Sequence, residues 1–165
     1  MNKELFLILH NIRSAYNVGS IFRTADSVGV KKIYLTGYTP CPFVYKNKSL
    51  HQTKAEKMLA KTALGAHAYV EWENRGDIFE LMQELKKDGA KIVALEQSEN
   101  SQDYRDFSVD SSIALIAGNE PSGIEKEVLG ECDGIIEIPM RGKKKSLNVS
   151  VAVGVAAYEL TRDVD

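Results

Sequence analysis

The sequence has few cysteines, and its cysteines and histidines have no metal-ligand spacing. Cys41 and Cys132 lie far apart, and His10, His51 and His67 are scattered along the chain. No secretory signal precedes the cysteines, and free thiols are typical of a reducing compartment. We therefore predict two free thiols, no bound metal and a cytoplasmic location.

Long apolar runs and an excess of charge are also missing. No stretch is long enough to span a membrane as a helix, and residues 1–4 lack the basic-then-apolar plan of a signal peptide. The formal net charge is −2, with 44% hydrophobic and 27% charged residues, which is ordinary for a globular protein. We expect one domain over residues 1–165 and no membrane contact. Binding to nucleic acid would depend on local basic patches.

The chain does contain alternating apolar strands and amphipathic helices. Strands are predicted at residues 5–9, 32–36, 68–72, 91–96, 113–117 and 135–138. Helices are predicted at residues 18–28, with Asn17 as cap and Gly29 as stop, at 52–64, 77–87 and 124–129, and from about Ser146 onward. This order predicts an α/β domain with a mainly parallel sheet covered by helices on both faces.

The last predicted helix is apolar nearly all round. One face carries Leu147, Val151, Val155 and Tyr158, and the other faces carry Val149, Ala152, Val153, Ala156 and Ala157. A helix with this pattern is buried on more than one side. We predict that one side packs on the protein's own sheet and the other on a second copy of the chain.

Three patches of polar and glycine residues interrupt the pattern at predicted strand ends, where α/β proteins bind ligands. They are Asn17-x-Gly19-x-Ile21-x-Arg23-Thr24, Gly118-Asn-Glu-Pro-Ser-Gly123, and Ile138-Pro-Met140 with Ser146-Leu-Asn148. Taken singly, each patch also suits a helix cap or a turn. None matches a phosphate loop or the dinucleotide pattern Gly-x-Gly-x-x-Gly.

Together and in this order, the patches closely resemble the three motifs of the SpoU/TrmH branch of the SPOUT RNA methyltransferases, over nearly the whole chain. The resemblance implies an α/β-knot fold whose C-terminal part is threaded into a trefoil knot, an exception to the rule that chains do not knot. It also implies a homodimer. The expected reaction is transfer of a methyl group from S-adenosyl-L-methionine, usually to a ribose 2′-hydroxyl of tRNA or rRNA.

The resemblance also implies which residues form the site. Cofactor-binding residues are expected at Leu95, Glu96, Gly118, Asn119, Glu120, Gly123, Ile138, Met140, Ser146 and Leu147. Arg23 matches the arginine that activates the 2′-hydroxyl, and Asn17, Glu120, Ser146 and Asn148 match the other catalytic positions. Because arginine rarely gives up its proton, we interpret Arg23 as a positioning and electrostatic group that acts with a substrate phosphate.

Contacts with RNA are expected from the protein's own surface. The candidates are Arg13, Tyr16, Lys46, Lys48, Arg141, Lys143, Lys144 and Lys145. The segments 62–72 and 95–97 look most like the catalytic domain of eukaryotic tRNA guanosine 2′-O-methyltransferases, which favours tRNA and guanosine. Alternatives are an rRNA substrate or an RNA-binding dimer without catalysis. An unrelated nucleotide-binding α/β enzyme is disfavoured because its phosphate motif is missing.

Overall fold

A seven-stranded sheet organises the protein, whose computed structural model describes residues 3–44, 51–108 and 110–162. The strands are β1 (Leu5–His10), β2 (Lys32–Thr36), β3 (Trp72–Arg75), β4 (Lys91–Leu95), β5 (Gln102–Asp103), β6 (Ile113–Ala117) and β7 (Gly134–Glu137). Their order is β3-β2-β1-β6-β4-β7-β5, and each neighbouring pair is parallel. The predicted parallel sheet is confirmed. Because the strands are parallel, their C-terminal ends all lie on the same side of the sheet, where a ligand crevice is expected.

In the described ranges, five α-helices connect or follow the strands. They are α1 (Ala15–Val28), α2 (Lys54–Ala63), α3 (Ile78–Lys87), α4 (Lys126–Gly130) and α5 (Val149–Leu160). Side-chain caps satisfy amides of the first turn at Ser14, Thr53, Asp77 and Asn148. None of the helices in the described ranges combines the length and apolarity that a membrane span requires.

The helices cover both faces of the sheet, as predicted. On one face, buried side chains of α1, α2 and α5 share a core with Leu7, Leu9 and Leu115 of the sheet. On the other face, α3 and α4 pack against Ile8 and Ile92. Strands buried on both faces read as continuous apolar runs, which is why β1, β4 and β6 are visible in the sequence.

Three details of the prediction are wrong. The third strand lies at Trp72–Arg75 rather than residues 68–72, where a 3₁₀ turn over Ala66–Ala68 occurs instead. β3 is an edge strand whose polar side chains form ion pairs, such as Lys32 Nζ with Glu73 Oε2 at 2.8 Å, so it carries no apolar signal. The two-residue β5 was not predicted. Helix α1 begins earlier, capped by Ser14 instead of Asn17.

Candidate functional site

A cleft of about 370 Å³ opens where β4, β6 and β7 end, a size typical of sites for small molecules. All ten predicted cofactor residues lie in its lining: Leu95, Glu96, Gly118, Asn119, Glu120, Gly123, Ile138, Met140, Ser146 and Leu147. The lining also includes residues that were not predicted to bind the cofactor, namely Gln97, Ala117, Pro121, Ser122, Glu137, Val149 and Ala152. Each of them lies within a few positions of a predicted site residue in the sequence, and this closeness was the signal that could have identified them.

Two glycines shape the cleft wall. A Cβ atom on Gly118 would lie 2.5 Å from Cγ1 of Ile124 and 2.9 Å from the carbonyl oxygen of Gly123. Gly123 has a φ of 71°, and a Cβ atom there would collide with the Glu96 carboxylate. That carboxylate is held in place, since Oε2 accepts from the Ile124 amide at 3.0 Å and Oε1 from the Gln97 amide at 2.9 Å. The missing side chains let the loop 118–123 pack tightly against Ile124 and Glu96, and this packing sets the position of the cleft wall.

Glu120 joins the cleft to the start of α1. Its carboxylate accepts hydrogen bonds from the Arg13 amide at 2.8 Å, the Ser14 amide at 3.1 Å and Asn17 Nδ2 at 2.9 Å. Partial burial by itself would raise the pKa of Glu120. The hydrogen bonds from Arg13, Asn17, its own amide and Ser14 outweigh burial and hold the pKa below its usual value.

Asn148 extends this chain to the start of α5. Its Oδ1 caps the helix by accepting from the Ser150 amide at 2.9 Å, and its Nδ2 donates to Asn17 Oδ1 at 3.1 Å. The structure thus connects Asn17, Glu120 and Asn148 through side-chain hydrogen bonds, and Ser146 lies in the cleft lining beside them. Residues far apart in the sequence are brought to one place.

Arg23, the fifth predicted catalytic residue, does not line this cleft. It lies on an exposed part of α1 and borders a separate hollow with Lys61 of α2 and Tyr158 of α5. The rest of that hollow is hydroxyl-bearing or apolar: Ser20, Thr24, Ser27, Thr62 and Leu64. Within the described ranges neither Arg23 nor Lys61 forms an ion pair, so both charges are available to an anion.

The predicted RNA-binding residues fall into two groups near the cleft. Arg13 and Tyr16 are exposed at the start of α1, next to Glu120. Arg141, Lys143, Lys144 and Lys145 are exposed on the segment between the lining residues Met140 and Ser146. Gln97 Nε2 ties this segment to β4 by donating to the Lys145 carbonyl at 2.7 Å. Lys46 and Lys48 lie outside the described residues.

Replacement of Glu120 by alanine is expected to lower the free energy of unfolding by about 1–2 kcal/mol, because it leaves the Arg13 and Ser14 amides without their acceptor. Chemical denaturation measures the change. Glu127→Ala is the matched control: Glu127 is an exposed glutamate of α4, and its replacement should change stability little.

The effect of this substitution should depend on pH. The lowered pKa of Glu120 stabilises the fold fully above the unfolded-state pKa of about 4.3. That contribution is lost as the pH falls through the folded-state value. The stability difference between the wild type and Glu120→Ala should therefore narrow below about pH 4. A stability difference that stays constant from neutral pH to pH 3 would contradict the role of the Glu120 carboxylate as the acceptor for the amides at the start of α1.

Comparison with known proteins gives a consistent result. The model of the SpoU rRNA Methylase family matches residues 4–158. A Staphylococcus aureus (strain COL) protein, assigned by its name to the TrmH family of tRNA/rRNA methyltransferases, is 34% identical over 156 residues, covering 94% of this chain and 58% of the relative. A Bacillus subtilis relative with a similar name is 32% identical over 160 residues, covering 97% and 59%. The chain spans about three fifths of the length of these curated relatives.

Solved structures agree in fold. A Sinorhizobium meliloti rRNA methyltransferase with AdoMet bound has a TM-score of 0.86 and 26% identity, covering 99% of this chain and 57% of that one. The TrmH/SpoU tRNA modifying enzyme of A. aeolicus has a TM-score of 0.79 and 31% identity, covering 97% of this chain and 75% of that one.

Proposed function

The chain belongs to the SpoU rRNA methylase family, and we propose that it is an RNA methyltransferase that moves a methyl group from S-adenosyl-L-methionine to a ribose 2′-hydroxyl. The observation that carries this proposal is the glycine-walled cleft at the strand ends, in whose lining all ten expected cofactor residues lie. S-adenosyl-L-methionine supplies a methyl group that is already activated on sulfur. The protein's task is therefore mainly to align a weak nucleophile with it.

The lining of the cleft suits a ligand with an apolar ring and a charged, polar part. Leu95, Ile138 and Leu147 provide apolar surface, and the loop 118–123, which is tightly packed because Gly118 and Gly123 lack side chains, provides polar groups. The S-adenosyl-L-methionine of the S. meliloti relative is a ligand of this kind. We assign the cofactor to this cleft.

We propose that Arg23 acts on the substrate from outside the cofactor cleft. A ribose hydroxyl is a very weak acid, so the developing charge on its oxygen needs stabilisation. Arg23 provides one cationic side chain to this hollow, and Lys61 provides a second. We assign a phosphate of the RNA to this hollow, with Arg23 between phosphate and hydroxyl.

A homodimer would bring Arg23 to a cleft. Val153, Ala156 and Ala157 of α5 are buried in the protein's own core, but Val151 is 50% and Tyr158 58% exposed. Tyr158 also borders the hollow of Arg23. A second copy that covers this apolar side of α5 would lie against that hollow. We propose that Arg23 serves the cofactor cleft of the partner subunit.

The chain path around β7 supports the trefoil knot. β7 lies between β4 and β5, so the connection 96–101 crosses one end of it. Helix α4, before β7, packs on one face of the sheet, and α5, after β7, packs on the opposite face. Between β7 and α5 the chain therefore passes from one face of the sheet to the other, and on the way it contacts the connection after β4, where Gln97 Nε2 donates to the Lys145 carbonyl. We propose a knot at this point, within a single SPOUT domain over residues 1–165.

We consider two classes of RNA substrate, tRNA and rRNA. The tRNA modifying enzyme of A. aeolicus, at 31% identity, favours tRNA, with guanosine as the first nucleotide to examine. The S. meliloti rRNA methyltransferase, at 26% identity, supports rRNA as the alternative. The exposed basic segment 141–145 beside the cleft suits either, because it would contact the phosphate backbone.

Calorimetric titration with S-adenosylhomocysteine tests the cofactor assignment. We expect binding with a dissociation constant on the order of micromolar, which corresponds to about 8 kcal/mol. Gly130→Ala, where a Cβ atom would meet nothing within 4 Å, is the matched control and should bind equally well. Absence of binding by the wild type would contradict the proposal and favour an RNA-binding protein without catalysis.

A further inference from the structure

Tyr38, which follows β2, is held at its backbone and at its hydroxyl although the residue is 61% exposed. Its hydroxyl accepts a hydrogen bond from Asn119 Nδ2 at 2.7 Å, and its backbone amide donates to Asn11 Oδ1 at 3.2 Å. These two hydrogen bonds hold the aromatic ring of Tyr38 in one position at the protein surface.

The groups that hold Tyr38 are themselves fixed. Asn119 is buried and lines the cofactor cleft; its Nδ2 also donates to the Asn11 carbonyl at 2.9 Å, and its Oδ1 accepts from the Ser122 amide at 3.0 Å. Asn11 Nδ2 donates to Glu125 Oε1 at 2.9 Å. The ring is therefore attached to the ends of β1, β2 and β6, directly beside the cleft.

We propose that Tyr38 is the platform on which a nucleobase of the substrate stacks, an inference that rests on the proposed function. Bases of unpaired RNA stack on aromatic side chains, and each such contact contributes about 1–3 kcal/mol. A ring that is already fixed loses little entropy when a base binds. Its bond to Asn119 places the stacked base next to the wall of the cofactor cleft.

Stacking on Tyr38 would distinguish unpaired from paired nucleotides, but it would discriminate little among the four bases. Every base has an aromatic face, so stacking on Tyr38 tolerates all four bases. A base inside a double helix is already stacked and paired, and its face is not available. The substrate class is therefore RNA with an unpaired or flipped-out nucleotide, and double-stranded RNA is a poor substrate.

The test compares three variants on a short single-stranded RNA labelled with 2-aminopurine, whose fluorescence is quenched by stacking. Tyr38→Ala removes the ring, and Tyr38→Phe keeps the ring but removes the bond to Asn119. Tyr69→Ala is the matched control, because Tyr69 is 82% exposed and lines neither the cofactor cleft nor the hollow of Arg23. The same variants are assayed for binding of S-adenosylhomocysteine and for the KM of total tRNA in methyl transfer.

We expect Tyr38→Ala to lose the quenching, to weaken RNA binding about tenfold or more, and to leave S-adenosylhomocysteine binding unchanged. Tyr38→Phe should restore most of the affinity and the quenching, and Tyr69→Ala should behave as the wild type. Wild-type RNA affinity in Tyr38→Ala, or equal losses in Tyr38→Phe and Tyr38→Ala, would overturn the inference while leaving the proposed function intact. A wild type that binds no S-adenosylhomocysteine would overturn the proposed function itself.

Discussion

Replacement of Arg23 by alanine is expected to reduce methyl transfer about 100- to 1000-fold, the usual cost of removing one group that stabilises charge in a transition state. Binding of S-adenosylhomocysteine should not change, because Arg23 does not line the cofactor cleft. Single-turnover assays with saturating RNA measure the first effect, and calorimetry measures the second. The combination separates a role in the reaction from a role in holding the cofactor.

Two further variants show whether the role of Arg23 depends on its charge alone or also on the geometry of its guanidinium group. Lys57→Ala removes another exposed cation, on α2, that does not border the hollow of Arg23, and it should retain full turnover. Arg23→Lys keeps the charge but loses the planar guanidinium group, which can donate two parallel hydrogen bonds, so its methyl transfer should remain strongly impaired. Full turnover of Arg23→Lys, with unchanged RNA and cofactor binding, would contradict the assigned role.

Replacement of Gly118 by alanine is expected to weaken the binding of S-adenosylhomocysteine at least tenfold. The new Cβ atom would lie 2.5 Å from Ile124 Cγ1 and 2.9 Å from the carbonyl carbon and oxygen of Gly123. Since Gly123 also lines the cleft, the backbone that must move is part of the cleft wall. Overpacking of this kind also costs about 1–3 kcal/mol of stability. Calorimetry at a temperature where circular dichroism shows a folded protein measures the affinity.

Gly118→Ala also tests whether Arg23 acts across a dimer. In the proposed homodimer, a mixture of Arg23→Ala and Gly118→Ala that is refolded together would include dimers with one intact cleft and one intact Arg23. If Arg23 serves the partner subunit, these two intact parts belong to a single site, and the mixture is more active than either variant alone at a limiting concentration of S-adenosyl-L-methionine. A mixture no more active than its components would contradict the assignment to the partner, whereas Gly130→Ala alone should stay fully active.

The buried parts of the fold could be predicted from the sequence. β1, β4 and β6 are covered on both faces, so they are apolar without interruption, and α3 shows one apolar face with Asp77 as its cap. The cleft was predictable for a different reason. Much of its lining lies at the ends of β4, β6 and β7, and parallel strands bring these ends together, whereas the individual cofactor residues, including Ser146 and Leu147, were expected from the family resemblance.

The remaining features depend on contacts that the sequence does not display. The edge strand β3 is polar because ion pairs and not a core cover it. Asn17, at a plausible cap position, instead donates to Glu120, a residue distant in the sequence. The exposure of Tyr38 and the separation of Arg23 from the cleft are set by the packing of whole elements. No local pattern encodes them.

The most direct test of the proposed function is methyl transfer from labelled S-adenosyl-L-methionine to total tRNA and, separately, to total rRNA. Nuclease digestion and mass spectrometry of the nucleosides then identify the product. We predict a 2′-O-methylated nucleoside in the tRNA pool, whose formation is strongly reduced by Gly118→Ala and by Arg23→Ala. A methyl group on a base instead of a ribose, or no transfer together with no binding of S-adenosylhomocysteine, would contradict it.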